Sequence, residues 1–158
     1  MIADYEGEGK SDLMASPGIY GLGQSHKHLP EMAAVCALEA YPLFSPIVDD
    51  YYSGMATTLP LHMCMLKGVK SLSELREAYM DYYSGEALIS VGELSDKSAR
   101  LYGNAMSGRD SLSVHISGND ERFTLTAIFD NLGKGASGAA IQNMNILLGA
   151  DECTGLSL

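Results

Sequence analysis

The side chains with the most chemistry in this sequence stand together at His26-Lys27-His28, just ahead of Pro30. Two imidazoles and a cation beside a helix start can hold an anion and pass a proton near neutral pH. An unperturbed imidazole changes charge in that range, and a helix N-terminus carries partial positive charge. A solvated surface pair carries about equal weight as a reading of H-x-H on a loop. Metal binding is disfavoured, because no third histidine or paired cysteine stands at ligand spacing. His62 and His115 read as structural or surface histidines.

A second cluster is Asn131-Leu132-Gly133-Lys134-Gly135-Ala136-Ser137-Gly138, which follows Phe129-Asp130. Its glycines satisfy G-x-G-x-x-G between a strand and a helix, where turn amides can meet a pyrophosphate. A true dinucleotide fingerprint opens a βαβ unit and has an acidic residue about 20 residues on, and no second strand follows here. Gly-x-Lys-Gly also lacks the spacing of a P-loop. Close helix–sheet packing is the competing account of the glycines, while Asn131 offers an amide suited to a carboxamide ring substituent.

Other candidates are weaker. Asp49-Asp50 could do acid–base work but reads more readily as a solvated pair, with Tyr51 and Tyr52 packing at a subunit surface. Arg109 could clamp an anionic group or pair with Asp110 in its turn. Cys36 and Cys64 lie in apolar surroundings and Cys153 in a tail, none of them the electropositive setting of a nucleophile.

The elements that must position these groups come from periodicity and punctuation. Residues 1–18, with Tyr5-Glu6-Gly7-Glu8-Gly9-Lys10, read as a frayed or partly helical lead-in. Pro30 suits the first turn of a helix that runs no further than Ala40 and turns Leu29, Met32, Val35 and Cys36 inward. Leu43–Val48 and Met55–Leu61 read as strands. Ser71-Leu72-Ser73-Glu74 is a capping box, opening a helix that buries Leu72, Leu75, Tyr79 and one of Tyr82 and Tyr83 before Gly85 stops it. Short strands follow at Ala87–Val91 and Arg100–Met106. The spacing then predicts a hairpin, with Leu112, Val114 and Ile116 alternating against Phe123, Leu125, Ala127 and Phe129 about Gly118-Asn119-Asp120. A last helix buries Ala140, Ile141, Met144, Leu147 and Leu148 and is capped by Gly149. This order points to one α+β domain, 19–158, with a mixed, largely antiparallel sheet and helices on one face.

With 158 residues, 46% of them hydrophobic and 19% charged, the chain is globular. A net charge of -10 argues against nucleic-acid binding, which needs a basic footprint. No apolar run reaches membrane-spanning length, and a cytoplasmic, reducing setting is expected.

Two stretches carry a resemblance. Gly21-Leu22-Gly23-Gln24-Ser25-His26-Lys27-His28-Leu29-Pro30-Glu31-Met32 resembles the H-[RK]-H-x-P-E-[IM] segment of N-acetyl-gamma-glutamyl-phosphate reductases. Asp130 to Asn145 resembles the same family's closing D-N-L-x-K-G-A-[AS]-G-x-A-x-Q-x-M-N segment. The resemblance extends over nearly all of Gly21 to Leu156. It implies the substrate and dimerisation domain of such an enzyme, with the glyceraldehyde-3-phosphate dehydrogenase-like C-terminal fold. The implied reaction is NADPH-dependent reduction of N-acetyl-glutamyl phosphate to the semialdehyde, in arginine biosynthesis, through a thioester on a cysteine in an N-P-G-C context. Neither that motif nor a Rossmann fingerprint occurs in this sequence, so the chain alone is expected to be inactive.

By the same resemblance His28 would be the acid–base histidine beside the thiol, with His26 and Lys27 at the substrate's phosphate or carboxylate, in an order of the two histidines that the residues leave open. Tyr20 and, by its residue type, Arg109 would also face substrate, and Asn131, Gly133, Lys134 and Gly135 the NADP cofactor. The 131–148 helix would dock on an NADP-binding domain, and the protein would be a homodimer or higher homo-oligomer. The alternative from another class is a stand-alone, non-catalytic oligomerisation or anion-binding module.

Overall fold

Residues 2–7, 10–94 and 99–158 are described in the computed structural model, where the chain divides into two compact units, 1–51 and 52–158. The division between the two units falls after Tyr51. In the first unit the lead-in forms α1 (Ile2–Glu6) and a 3₁₀ turn at Asp12–Ala15, capped by the Ser11 hydroxyl accepting from Leu13 N. Glu8 and Gly9 of the predicted lead-in lie outside the described residues.

Gly18–Ile19 (β1) pairs antiparallel with Ile47–Val48 (β2), Gly18 opposite Val48 and Ile19 opposite Ile47. The strand expected over Leu43–Val48 is therefore only two residues long. Pro46 has no amide to offer a ladder, and after Tyr20 N donates to Pro46 O (3.1 Å) the partner chain turns away.

Between these strands lies α2 (His28–Val35), which starts two residues before Pro30 and so holds it in the first turn, where a missing N–H costs nothing. Leu29 is its one buried residue; Val35 and Cys36 are exposed, against expectation. The helix ends early because Ala37 adopts a left-handed φ of 50°. Ala37 N reaches Ala34 O and Leu38 N reaches Ala33 O, a Schellman closure with alanine in glycine's usual place.

The second unit is built on a four-stranded sheet. Its elements are β3 (Met55–His62), α3 (Leu72–Tyr82), β4 (Ile89–Val91), β5 (Leu112–Gly118), β6 (Arg122–Phe129) and α4 (Gly138–Leu148). The strand order is β3-β6-β5-β4, with β3/β6 and β6/β5 antiparallel and β4/β5 parallel. The fold is α+β with a mixed, largely antiparallel sheet, as the element order implies. The β5–β6 hairpin closes where predicted: the Asn119 side chain accepts from both Glu121 N and Arg122 N at 2.9 Å. Gly118 (φ 139°) is required there, because a Cβ would stand 2.4 Å from Arg122 O.

One face of the sheet meets α3, where Leu72 and Leu75 pack with Ile116, Phe123 and Met63 as the core. Ser71 Oγ accepts from Glu74 N (3.2 Å), but Glu74 reaches Lys70 N rather than Ser71 N, and Asp120 supplies a further cap to Leu72 N (2.8 Å). Tyr83 is half-buried and Tyr82 exposed.

Three expectations give way. Residues 100–106 form successive turns, not a strand, with Ala105 N on Tyr102 O and Ser107 N on Asn104 O. On β6 the face opposite Phe123 is also buried, through Thr126 and Ile128; Thr126 Oγ1 meets Thr58 Oγ1 of the neighbouring strand at 3.1 Å. On α4 the polar side turns inward: Gly138 and Asn145 are buried, while Met144, Leu147 and Leu148 are exposed. Asn145 Nδ2 donates to the carbonyls of Glu152 (3.1 Å) and Thr154 (2.9 Å), so the C-terminal segment covers this polar side and leaves the apolar stripe exposed. Gly149 closes the helix in the left-handed region, as expected.

Candidate functional sites

The histidine loop lies in the first unit, between β1 and α2. His28 opens α2, and Glu31 stands one turn on, on the same face. His28 Nδ1 is 3.0 Å from Glu31 Oε2. A carboxylate can only accept, so His28 Nδ1 carries the proton and Nε2 is the nitrogen left to react.

His26 is held differently. Its Nδ1 lies 3.3 Å from the main-chain N of His28, which can only donate. His26 is therefore protonated on Nε2 when neutral. The two imidazoles, 4.9 Å apart between centroids, thus present opposite tautomers: a fixed donor at His26 and a proton acceptor at His28. His26 is half-buried, against the Phe44 ring (5.0 Å) and the edge of Tyr20 (6.1 Å), whereas His28 is exposed. Lys27 is exposed at the N-cap position and makes no capping bond. The loop brings Tyr20, His26 and His28 together, with Lys27 between the histidines.

The glycine turn lies in the second unit and is organised by Asp130, which is 4% exposed. Its carboxylate accepts from Gly108 N (2.6 Å), Leu132 N (2.8 Å), Ser53 Oγ (3.0 Å) and Gly133 N (3.2 Å). Burial pushes this carboxyl up, but the four donors outweigh it and hold it below the ordinary value of 3.8. Gly135 N donates to Asp130 O (2.8 Å) and Ser137 N to Leu132 O (3.1 Å). The turn amides that a pyrophosphate would need are thus directed at the protein itself.

The glycines make room. A Cβ on Gly138 would stand 2.1 Å from Asp110 Oδ1, and one on Gly133 would stand 2.8 Å from Arg109 O. Packing accounts for both. A one-turn π-helix over Gly133–Ser137 leads into α4. Lys134 Nζ donates to Gln142 Oε1 (2.6 Å), and Gln142 Nε2 in turn to Glu152 Oε2 (2.8 Å). Asn131 Oδ1 accepts from Gly54 N (2.7 Å), leaving its Nδ2 as the donor for another group.

Arg109 makes no ion pair with Asp110 among the described residues: its Nη1 donates to Leu158 O (3.1 Å), while Asp110 Oδ2 accepts from Ser157 N (3.0 Å). Asp49 accepts from Asp50 N, and Asp50 pairs with Lys10, so this acidic pair serves the turn. Among the described residues no His/Cys/Asp/Glu cluster could hold a metal ion. Cys36 and Cys64 are exposed. The Cys153 thiol is pushed up by burial and by Asp151 and Glu152, against the pull of Lys134, the reverse of what a nucleophile needs. His115 is half-buried and, among the described residues, is not paired to an acid: Ser113 Oγ lies 3.0 Å from its Nε2, and burial pulls its pKa down.

Three residues of these sites are given no role by the motifs: Glu31 and Asp130, although both stand in the quoted segments, and Phe44. Glu31 has a signal in its i, i+3 spacing from His28, and Asp130 in the Asx pattern of a side chain that accepts from amides two and three residues on.

A mixed, largely antiparallel sheet with packed helices places this chain in the α+β class. Within that class, the chain belongs to the family described as semialdehyde dehydrogenase, dimerisation domain, whose model matches residues 6–131. It is 38% identical over 153 residues to the N-acetyl-gamma-glutamyl-phosphate reductase of Sinorhizobium fredii (strain NBRC 101917 / NGR234), covering 95% of this chain and 50% of that protein. The reductase of the same name from Brucella anthropi is 38% identical over 154 residues (94% and 50%), and that of Sinorhizobium medicae 37% over 155 residues (95% and 50%). The chain spans about half the length of these curated relatives. The resemblance read from the His loop and the closing segment is borne out. No helix among the described residues is long and apolar enough to cross a membrane.

Proposed function

We propose that this chain is the substrate-binding and dimerisation part of an NADPH-dependent N-acetyl-gamma-glutamyl-phosphate reductase, which forms N-acetyl-glutamate semialdehyde for arginine biosynthesis. The observation that carries the reading is the His28–Glu31 pair beside His26, in a chain whose curated relatives bear that name. His28, its Nδ1–H held by Glu31, uses Nε2 to take the thiol proton and return a proton during turnover. His26 presents Nε2–H as a fixed donor to a substrate oxygen, with Lys27 as the nearby cation for phosphate or carboxylate and Tyr20 at the edge of the loop.

The nucleophilic thiolate is assigned to a cysteine outside this chain, since none of Cys36, Cys64 and Cys153 stands in an N-P-G-C context and the Cys153 thiol is pushed up by its acidic neighbours. It and most of the NADP site belong outside residues 1–158. NADPH, when bound, supplies the hydride. Asn131 Nδ2 fits the carbonyl of a nicotinamide carboxamide, whereas Gly133, Lys134 and Gly135 have their donors engaged within the protein and fit packing better than phosphate. The exposed apolar side of α4 supports docking of the 131–148 segment on an NADP-binding domain. The family description supports a homodimer, which we place across the sheet.

The test is NADPH oxidation by this chain co-expressed with the other half of the Sinorhizobium fredii reductase. Turnover is expected only in the combination, with His28→Ala lowering it by about 10²–10⁴-fold. Full activity in His28→Ala, or turnover by this chain alone, overturns the assignment.

A further inference from the structure

The β1–β2 ribbon does not end where its main-chain pairing ends. Gly18 faces Val48 and Ile19 faces Ile47, and Tyr20 N donates to Pro46 O (3.1 Å). The same register, two residues further, would set residue 22 opposite Phe44 as a pair exchanging both hydrogen bonds. The chain has left the ribbon by then: Gln24 N closes a turn on Gly21 O (3.1 Å), with Gln24 itself in the left-handed region at φ 51°.

Phe44 N–H and C=O would therefore lose their partners. The Gln24 side chain supplies both, Nε2 donating to Phe44 O (2.7 Å) and Oε1 accepting from Phe44 N (3.0 Å). A primary amide carries one donor edge and one acceptor edge, as a peptide does, and here it stands in for the missing residue of the ribbon. A left-handed backbone at a non-glycine residue is strained and persists only where surrounding bonds fix it. The ring carried by the clamped Phe44 lies 5.0 Å from the His26 imidazole, tilted by 54°.

We propose that Gln24 is a positioning residue for His26, acting through Phe44: its amide completes the ribbon at Phe44, and the fixed ring holds the imidazole where His28 N–H can occupy Nδ1. His26 is thereby kept as a donor at Nε2. The chemical purpose of that donor rests on the reductase reading; the positioning itself does not.

The test is the nitrogen spectrum of the His26 ring in the 158-residue chain without substrate, recorded above pH 8 by long-range proton–nitrogen correlation. The wild-type ring is expected as one tautomer, with Nδ1 bare and Nε2 protonated. Gln24→Ala is expected to move both nitrogens toward the shared position of a mixture, and Phe44→Leu, which leaves the clamp but removes the ring, to do the same. His115, in the other unit, serves as the control and keeps its shifts. Gln24→Glu retains the size of the side chain and the bond from Phe44 N but cannot donate to Phe44 O, and it too is expected to mix the tautomers. Wild-type His26 nitrogens in Gln24→Ala overturn the proposal. If Gln24→Ala unfolds the first unit, wild-type nitrogens in Gln24→Glu overturn it instead. Because no turnover is measured, failure here leaves the reductase reading standing, and an inactive reductase leaves this result standing.

Discussion

Replacing Asp130 by Asn tests how the glycine turn is held. The two groups have nearly the same shape, but an amide has one acceptor edge where the carboxylate has two. Oδ1 of Asp130 serves Leu132 N and Gly133 N, and Oδ2 serves Gly108 N and Ser53 Oγ. Whichever way the amide is turned, an NH₂ group faces one of these donor pairs. Turning it toward Ser53 loses less, because a hydroxyl can rotate and accept, but Gly108 N–H is then orphaned at a buried position. A hydrogen bond to a charged group contributes about 1.5–3 kcal/mol and a neutral one about 0.5–1.5, so loss of the Gly108 bond and conversion of the Ser53 bond to a neutral one is worth roughly 2–4 kcal/mol at pH 7. That is a large share of a domain's total stability.

The pH dependence of the difference follows from the lowered folded-state pKa of Asp130. Its contribution is fully present above the ordinary value of 3.8 and is lost as pH falls through the lower folded value. Urea unfolding of both proteins, followed by a probe in the 52–158 unit, should show a gap of that size at pH 7. The gap should shrink below about pH 4, near the unfolded carboxyl pKa. An Asp130→Asn midpoint equal to wild type at pH 7, or a gap as wide at pH 3 as at pH 7, would refute the account.

Gly138→Ala sets two effects against each other: helix propensity favours alanine by about 1 kcal/mol, while the new Cβ would stand 2.1 Å from Asp110 Oδ1. The clash is expected to win with a net loss of about 1–3 kcal/mol in urea unfolding, and a stabilised variant would show that Asp110 moves aside freely. Ile116→Ala, at a position 1% exposed, should cost about 2–5 kcal/mol and lower the thermal midpoint of the second unit. His115 should titrate below its ordinary value of 6.5 by NMR, because burial favours the neutral ring. The sign for stability follows: its contribution is present above 6.5 and lost as pH falls through the lower folded value. Light scattering of the chain at micromolar concentration should give the mass of a dimer or larger assembly, and a monomer would count against the homodimer.

The hairpin was legible because period-two alternation and a Gly-Asn-Asp turn leave few other ways to satisfy Leu112–Phe129. The start of α3 was legible for a similar local reason, although Glu74 caps Lys70 rather than Ser71. What could not be read depends on partners distant in the chain. Nothing near Gln24 announces that its amide will pair with a backbone twenty residues away. The apolar stripe of α4 reads as an inward face, yet Asn145 and Gln142 turn inward because the C-terminal carbonyls and Glu152 are there to receive them. Apolar periodicity identifies which side of a helix requires cover, not what supplies it. Residues 100–106 have strand-like residue types but make successive turns, and their identities carry little that distinguishes the two. In the His loop, residue types showed the chemistry available, while the opposite tautomers of His26 and His28 required positions.

Pro60 lies inside β3, the edge strand, opposite Thr124 of β6. A proline tolerated there must turn its nitrogen outward, since it has no hydrogen to give the ladder. The β3 margin of the sheet is thereby missing one donor at the sixth of its eight residues, and the pyrrolidine ring stands where an incoming strand would lie. Such a margin resists growth by strand addition, which is how exposed edges nucleate fibrous aggregates. Two copies of this domain are therefore steered away from joining β3 to β3 into one continuous sheet. They remain free to meet across the flat of the sheet, a contact that closes on itself instead of propagating.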